Sequence, residues 1–302
     1  NSGYTANIGM ISSLVNAGDF VVADILSHAS IYDGMQLCQG VKRFFRHNDP
    51  EHLRKILERN RPESAGSLIV VEGIFSMDGD AAPLQEIHKL AKKFDSRIMI
   101  DEAHSFGILG KHGLGLVEED CLMGSIDLTM GTFSKICGGI GGFAAGSKEI
   151  IQWINYSARS SFFSVSIPPS TAAAARAALE VFVANPQLLE NLRRNISHFV
   201  RGIRDIGFDI QLNHRSAIVP VIIGDEDFLG KIYTILMNSG VYTVPVVFPG
   251  VSRNTCRFRF TMSAMHTISE LDYVLMVLKT AIDKVGFTPK KVNPDSNEVE
   301  NK

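Results

Sequence analysis

Ile126-Asp127-Leu128-Thr129-Met130-Gly131-Thr132-Phe133-Ser134-Lys135, continued by Ile136-Cys137-Gly138-Gly139-Ile140-Gly141-Gly142-Phe143-Ala144-Ala145, sets one lysine on a polar turn between two apolar segments. Ile126 to Met130 has the alternation and length of a strand ending at Gly131. Beyond Lys135, the five residues 138–142 contain four glycines. A backbone that packs so closely can press a lysine against a ligand, where desolvation lowers its pKa and frees the amine to attack a carbonyl. From this segment alone, Lys135 reads equally as a surface lysine at a strand end.

A second run upstream tips the balance. Arg97-Ile98-Met99-Ile100 is β-rich and delivers Asp101-Glu102-Ala103-His104-Ser105 at its end, where α/β folds carry their sites. An aspartate on that buried edge needs a cationic or proton-sharing partner to stay ionised. The pyridinium nitrogen of pyridoxal phosphate is such a partner. Alone, Asp101 would read as a cap on the next segment; with Lys135 on a later strand, it reads as part of a site.

Three ordered motifs, Glu72-Gly73-Ile74-Phe75-Ser76-Met77-Asp78-Gly79-Asp80, Asp101-Glu102-Ala103-His104 and Gly131-Thr132-Phe133-Ser134-Lys135, resemble those of the α-oxoamine synthases, pyridoxal-phosphate enzymes of fold type I. The resemblance runs from Ser2 to about His266. Within the family, residues 101–105 and 131–135 look more like the serine palmitoyltransferase branch than the aminooxononanoate synthase, ketobutyrate ligase or aminolevulinate synthase branches. The resemblance implies an α/β fold, a mostly parallel sheet with helices on both faces, and a smaller α+β C-terminal domain. It divides the chain into a cofactor-binding domain over 1–182, a small domain over 183–286 and a polar tail over 287–302. Because Asn1 to Asn7 opens inside a motif that the family carries well within its chain, an upstream segment is expected.

The same resemblance assigns roles. Lys135 would carry the cofactor, Asp101 would meet its ring nitrogen, and His28 would stack on its ring, partnered by Glu72. His104 and Ser76 would lie at the phenolic oxygen, with Gly3, Tyr4, Thr132 and Ser134 at the phosphate. Ser164 and Ser166 would reach the phosphate of a neighbouring subunit, which implies a homodimer. Arg259 would bind the amino-acid carboxylate. The implied reaction joins an amino acid, serine in the branch named, to a long-chain acyl-CoA; alanine with pimeloyl-CoA or glycine with acetyl-CoA are the alternatives.

Composition sets the outer bounds. At 302 residues with 45% hydrophobic and 21% charged content, the chain can bury a large core and divide into two domains. A net charge of -2 gives no basic footprint for nucleic acid or an anionic membrane. Cys38, Cys121, Cys137 and Cys256 lie far apart with no CxxC spacing, so they read neither as metal ligands nor as a disulfide framework. No apolar run of membrane-spanning length occurs, and a reducing cytoplasm fits the composition.

Periodicity supplies the alternation of an α/β chain. Strands are expected over Phe20–Ala23, Val41–Phe45 and Leu68–Val71, with helices over Pro50–Arg59 and Pro83–Phe94 between them. Ser2 to Asn7 leads into a helix from Ile8, and reads either as a phosphate-binding helix entrance or as a plain serine cap. His28 alone reads as a structural histidine, and Ser164 and Ser166 as local turn residues before Pro168. Further on come helices over Ile150–Ala158, Thr171–Ala184, Gln187–Asp205, Phe228–Asn238 and Ser269–Val285. Strands are read over Ile218–Ile223, Val241–Val247 and Arg257–Met262. The last puts Arg257 and Arg259 on one sheet face, where Arg257 is read as a surface ion-pair residue.

Other readings fit less well. Asp101-Glu102-Ala103-His104 also matches a helicase signature, but that requires a GxxxxGK[ST] loop, which the chain lacks. Gly139 to Ala144 fits GxGxxA, but a dinucleotide site would follow a strand and open a helix, and this run follows a lysine turn and enters a strand. A reading of another class is a non-catalytic partner subunit; the presence of Lys135, Asp101, His104 and His28 speaks against it.

Overall fold

The computed structural model describes residues 1–211 and 213–289. The polar tail expected from residue 287 lies, beyond 289, outside the described residues. Two compact units emerge: Asn1–Ser76 with Asp80–Pro186, and Met77–Gly79 with the chain from Gln187 onward.

The first unit is built on a six-stranded sheet of β1 (Phe20–Asp24), β2 (Val41–Phe45), β3 (Ser67–Glu72), β4 (Arg97–Asp101), β5 (Leu128–Thr132) and β6 (Gly142–Gly146), in the order β2-β1-β3-β4-β5-β6. The first five run parallel and β6 closes the edge antiparallel to β5. Every residue of β3 is buried, as its unbroken Leu-Ile-Val-Val run requires of a strand covered on both faces. β2, at the sheet edge, carries Lys42 and Arg43 and is largely uncovered.

Helices α1 (Gly3–Leu14), α2 (Ala29–Leu37), α3 (Pro50–Asn60), α4 (Leu84–Lys93) and α5 (Leu116–Glu119) belong to this unit, followed by α6 (Lys148–Ser157), α7 (Arg159–Phe162) and α8 (Pro169–Ala184). α1 begins at Gly3 rather than Ile8, because the Ser2 hydroxyl accepts from the Thr5 N–H at 3.1 Å and Thr5 answers the Ser2 backbone. α1 and α2 pack closely: a side chain added at Gly34 would lie 3.1 Å from Ile11 and 3.2 Å from the Asn7 carbonyl. Met10, Ile11, Ile31 and Met35 of these helices share one core with Val21, Val70, Met99 and Leu128 of the sheet. Each such side chain contributes about 1.5–3 kcal/mol on burial, which anchors both helices over the sheet.

Because neighbouring parallel strands end together, the carboxyl edge of the sheet gathers Asp24, Glu72, Asp101 and Thr132. Glu72 and Asp101 sit directly opposite each other in the β3–β4 register. Strand order reverses between β1 and β3, and ligands of open α/β sheets bind beyond such an edge.

The second unit holds α9 (Gln187–Ile206), β7 (Ile218–Ile222), α10 (Glu226–Asn238), β8 (Val244–Val246), β9 (Arg257–Thr261) and α11 (Ile268–Val285), with an antiparallel sheet in the order β7-β9-β8. β8 is shorter than the expected Val241–Val247, since Pro245 can give no N–H to a ladder and tolerates only an edge. Arg257 corrects another expectation. It is 4% exposed, donates to Asp78 at 2.5 Å and to the Met77 carbonyl at 3.2 Å, and so ties residues 77–79 into this unit.

Candidate active site

A cavity of about 250 Å³ opens over the carboxyl edge of the first unit's sheet. Its lining brings together Gly3, Tyr4, His28, Asp101, His104, Thr132, Ser134 and Lys135, together with Asn7, Ser30 and Glu72. These residues come from five segments, so the parallel sheet assembles what the sequence spreads over more than a hundred positions.

Asp101 ends β4 and is 4% exposed. Burial dominates and raises its carboxyl pKa, against the Asn7 amide, the Ala103 N–H and the Lys135 charge, which hold it down. Its oxygens accept from Asn7 Nδ2 at 2.7 Å and from the Ala103 N–H at 2.8 Å. Glu72 is driven well above the usual carboxylate range by burial and by the charge of Asp101. With two carboxyls side by side and more of the donors on Asp101, a shared proton goes to Glu72 ahead of Asp101. Glu72 accepts from the His28 backbone N–H, so it fixes the chain at His28 rather than the ring.

Lys135 sits in the turn after β5 and is exposed, so the glycine-rich backbone around it does not itself desolvate the amine. The turn is held from below: the Thr132 hydroxyl donates to the Gly141 carbonyl at 2.9 Å and lies 2.9 Å from the Ser134 hydroxyl. Gly142 lets β6 run against the start of α1, where a Cβ would meet the Ser2 carbonyl at 2.6 Å. The first turn of α1 and the Ser134 hydroxyl thus face one cavity, a donor set suited to a phosphate dianion, with Thr132 holding the turn through Gly141.

Tyr4 lines the cavity, but its hydroxyl donates to Asp33. Its ring lies edge-on to that of His28 at 5.9 Å. Glu102, the second acid of the Asp-Glu-Ala-His run, is turned away and accepts from the Leu116 and Val117 N–H groups at 3.0 and 2.9 Å, capping α5. Ser105 is fully buried and donates to Glu102, so it faces this cap and not the cavity.

The remaining expected residues lie elsewhere. Ser76 is half-buried in the loop after β3, outside the cavity lining. Ser164 and Ser166 are exposed, and the Ser164 hydroxyl accepts from the Asn1 amide at 2.8 Å. Arg259 belongs to the second unit, where it lines a cavity of about 580 Å³ with Phe199, Phe260, Met262 and Leu271. Asn7 and Ser30 carry no expectation from sequence, although a polar residue three and four positions before Met10 and Ile11 on an apolar helix face has to find a partner.

A family model described as aminotransferase class I and II matches residues 1–278. The chain is 37% identical over 286 residues to an 8-amino-7-oxononanoate synthase of Bacillus pumilus, spanning 95% of this chain and 72% of that relative. The chain belongs to the α-oxoamine synthases, pyridoxal-phosphate enzymes of fold type I. A serine palmitoyltransferase from S. paucimobilis, solved with a bound pyridoxal-phosphate adduct of myriocin, superposes with a TM-score of 0.91 at 35% identity, over 94% of this chain and 72% of that one. A putative 8-amino-7-oxononanoate synthase of Halalkalibacterium halodurans is 40% identical over 274 residues, 91% of this chain and 69% of that relative.

The α-oxoamine synthase cofactor fits the donors present. A buried Asp101 carboxyl suits a pyridinium, an amine stands in the turn after β5, and the Ser134 hydroxyl with a helix start suits a phosphate. Among the described residues no helix is long and apolar enough to cross a membrane.

Proposed function

We propose that this chain catalyses the decarboxylating condensation of a small α-amino acid with an acyl-CoA, giving an α-oxoamine, carbon dioxide and CoA. One observation carries the reading: the Asp101 carboxyl at a buried strand end and the Lys135 amine line the same cavity as a phosphate-suited helix start. When bound, pyridoxal phosphate supplies an aldehyde for amines and an electron sink for the pair released at the amino acid's Cα.

Around that group, this chain's residues would divide the work. Lys135 would hold the cofactor through its amine and would move the proton at the amino acid's Cα. Asp101 would hold the cofactor at its ring nitrogen and favour the protonated form there, and His28 would pack beside the ring. His104 and Ser76 serve the phenolic oxygen. Gly3, Thr132 and Ser134 hold the phosphate, with Tyr4 contributing its ring or backbone because its hydroxyl is committed to Asp33. Arg259 binds the substrate carboxylate; its planar fork matches that group. Ser164 and Ser166 complete the phosphate site of a second subunit in a cytosolic homodimer, consistent with their exposure.

For the substrates, serine with a long-chain acyl-CoA is the first reading, supported by the likeness to solved serine palmitoyltransferases. Of the two sequence cues for that branch, the turn over residues 131–135 lines the cavity at Thr132, Ser134 and Lys135, whereas Ser105 bonds to Glu102, the cap of α5, and lends it no weight. Alanine with a pimeloyl thioester is the second reading, supported by the curated relatives. Each methylene buried in a matching channel contributes about 0.8 kcal/mol, so chain length should discriminate steeply. The test is CoA release with serine, alanine or glycine, each paired with acetyl, pimeloyl and palmitoyl thioesters. Fastest release with serine and palmitoyl-CoA is expected. Fastest release with alanine and pimeloyl-CoA replaces the first reading by the second, and no release from any pair under cofactor saturation overturns the condensation itself.

A further inference from the structure

Two fully buried polar side chains at the edge of the cavity have no part in the roles above: Asn7 on α1 and Ser30 on α2, each 0% exposed. Asn7 Nδ2 donates to Asp101 Oδ2 at 2.7 Å and to Ser30 Oγ at 2.9 Å. Ser30 Oγ lies 2.7 Å from His28 Nδ1, and the Ser30 backbone N–H donates to the same Nδ1 at 3.2 Å. Four residues from three segments therefore form one unbroken line from a carboxylate to an imidazole.

Counting protons along the line fixes its direction. The Asn7 amide nitrogen faces Asp101 Oδ2, and an amide nitrogen can only donate. The second N–H of that amide enters a lone pair of Ser30 Oγ. Ser30 has a single hydroxyl hydrogen, which is then left for His28 Nδ1. A backbone N–H cannot act as an acceptor, so the Ser30 N–H independently requires a bare lone pair on Nδ1. Both donors demand that the ring proton sit on Nε2.

We propose that Asn7 and Ser30 are positioning residues, forming a one-way hydrogen-bond relay that orients the Asp101 carboxylate and locks His28 in the tautomer protonated at Nε2. The relay makes the two groups interdependent: whatever rotates Asp101 also loosens the donor to His28. Burial holds the His28 pKa below the ordinary value, against the charge of Asp101 and with that of Lys135, so the ring is uncharged near neutrality. Other groups near the ring are Tyr4, edge-on to it, and Glu72, which accepts from the His28 backbone N–H. Any catalytic consequence rests on the roles proposed above for Asp101 and His28; the tautomer does not.

The test is nitrogen NMR of the full chain labelled at its nine histidines, with the His28 signal assigned by its loss in His28→Asn. Long-range proton–nitrogen correlations distinguish a protonated from a bare ring nitrogen without any substrate or turnover. The wild type is expected to show a bare Nδ1 and a protonated Nε2. Ser30→Ala removes the hydroxyl donor to the uncharged ring, so the His28 titration midpoint should rise by roughly half to one pH unit, the size of one neutral hydrogen bond. Ser30→Thr, which restores a hydroxyl, should return it. Asn7→Leu should leave Ser30 free to turn toward Asp101, and should reproduce the Ser30→Ala shift although Asn7 does not touch the ring. A wild-type ring protonated at Nδ1 overturns the proposal, and needs no variant to fold. An unchanged midpoint in a folded Ser30→Ala protein overturns it as well, since a packing role would lower stability and leave the midpoint alone. Failure of CoA release with these shifts intact would count against the proposed reaction and not against the relay.

Discussion

Two histidines follow neighbouring strands on the same sheet edge, and their surroundings drive them to opposite charge states. His28, just beyond β1, offers Nδ1 to two donors from Ser30, and burial lowers its pKa. His47, just beyond β2, lies with Nδ1 3.0 Å from Asp24 and Nε2 2.8 Å from Asp80. Burial opposes its charge too, but two carboxylates outweigh it and raise the pKa to about 10. The residue type decides neither outcome. What decides it is whether the ring's lone pair meets a donor, which favours the uncharged form, or whether both nitrogens meet carboxylates, which favours the cation.

The difference has a structural purpose on each side. His47 clamps the end of β1 to Asp80, at the far end of the loop that carries Ser76, with its ring edge-on to Phe75 at 4.6 Å. Asn48 reinforces the clamp, its backbone N–H donating to Asp24 at 2.8 Å and its amide to Asp80 at 2.7 Å. A permanent cation suits that task. For the role proposed for His28, beside a cationic cofactor, an uncharged ring is the better fit.

Removing the two rings separately should give the largest contrast. His47→Leu leaves the fully buried Asp24 facing an apolar group and is expected to cost about 3 kcal/mol in denaturant unfolding. That is the low end for a broken buried pair, because the Asp80 side chain is 42% exposed and water can replace its partner. His28→Asn strands no charge and should cost less than about 1 kcal/mol while impairing turnover. Equal stability losses in the two variants would remove the distinction.

A smaller effect separates the sites by pH. The folded pKa of His47, about 10, lies above its unfolded value of 6.5, so its contribution is complete below about pH 6.5 and is lost as the pH rises through about 10. The wild type should therefore lose more stability between pH 7 and pH 10 than His47→Gln does. Parallel stability curves for the two proteins over that window would show that the ring is not a cation in the folded state.

Most of the sheet was legible in the sequence because buried parallel strands read as continuous apolar runs, as Leu68 to Val71 does. The placing of Asp101 and Lys135 at adjacent strand ends followed from the same reading, since strand order in an α/β chain carries consecutive ends to one edge. The relay through Asn7 and Ser30 was not legible. It depends on α1 and α2 meeting at Gly34, a contact that no local pattern encodes. Arg257 was misread for a related reason: alternation puts it on one face with Arg259, but cannot say that Asp78, 179 positions earlier, covers that face. Glu102 shows the converse, an acid inside a motif whose partners, Leu116 and Val117, make it a helix cap.

The most direct test of the proposed chemistry is to load the chain with pyridoxal phosphate, reduce it with borohydride and map the labelled peptide. Label on Lys135, absent in Lys135→Ala while that variant still binds the cofactor loosely, is the expected result. Stable label on another lysine, or undiminished label in Lys135→Ala, would contradict the assignment on which the site and its reaction depend.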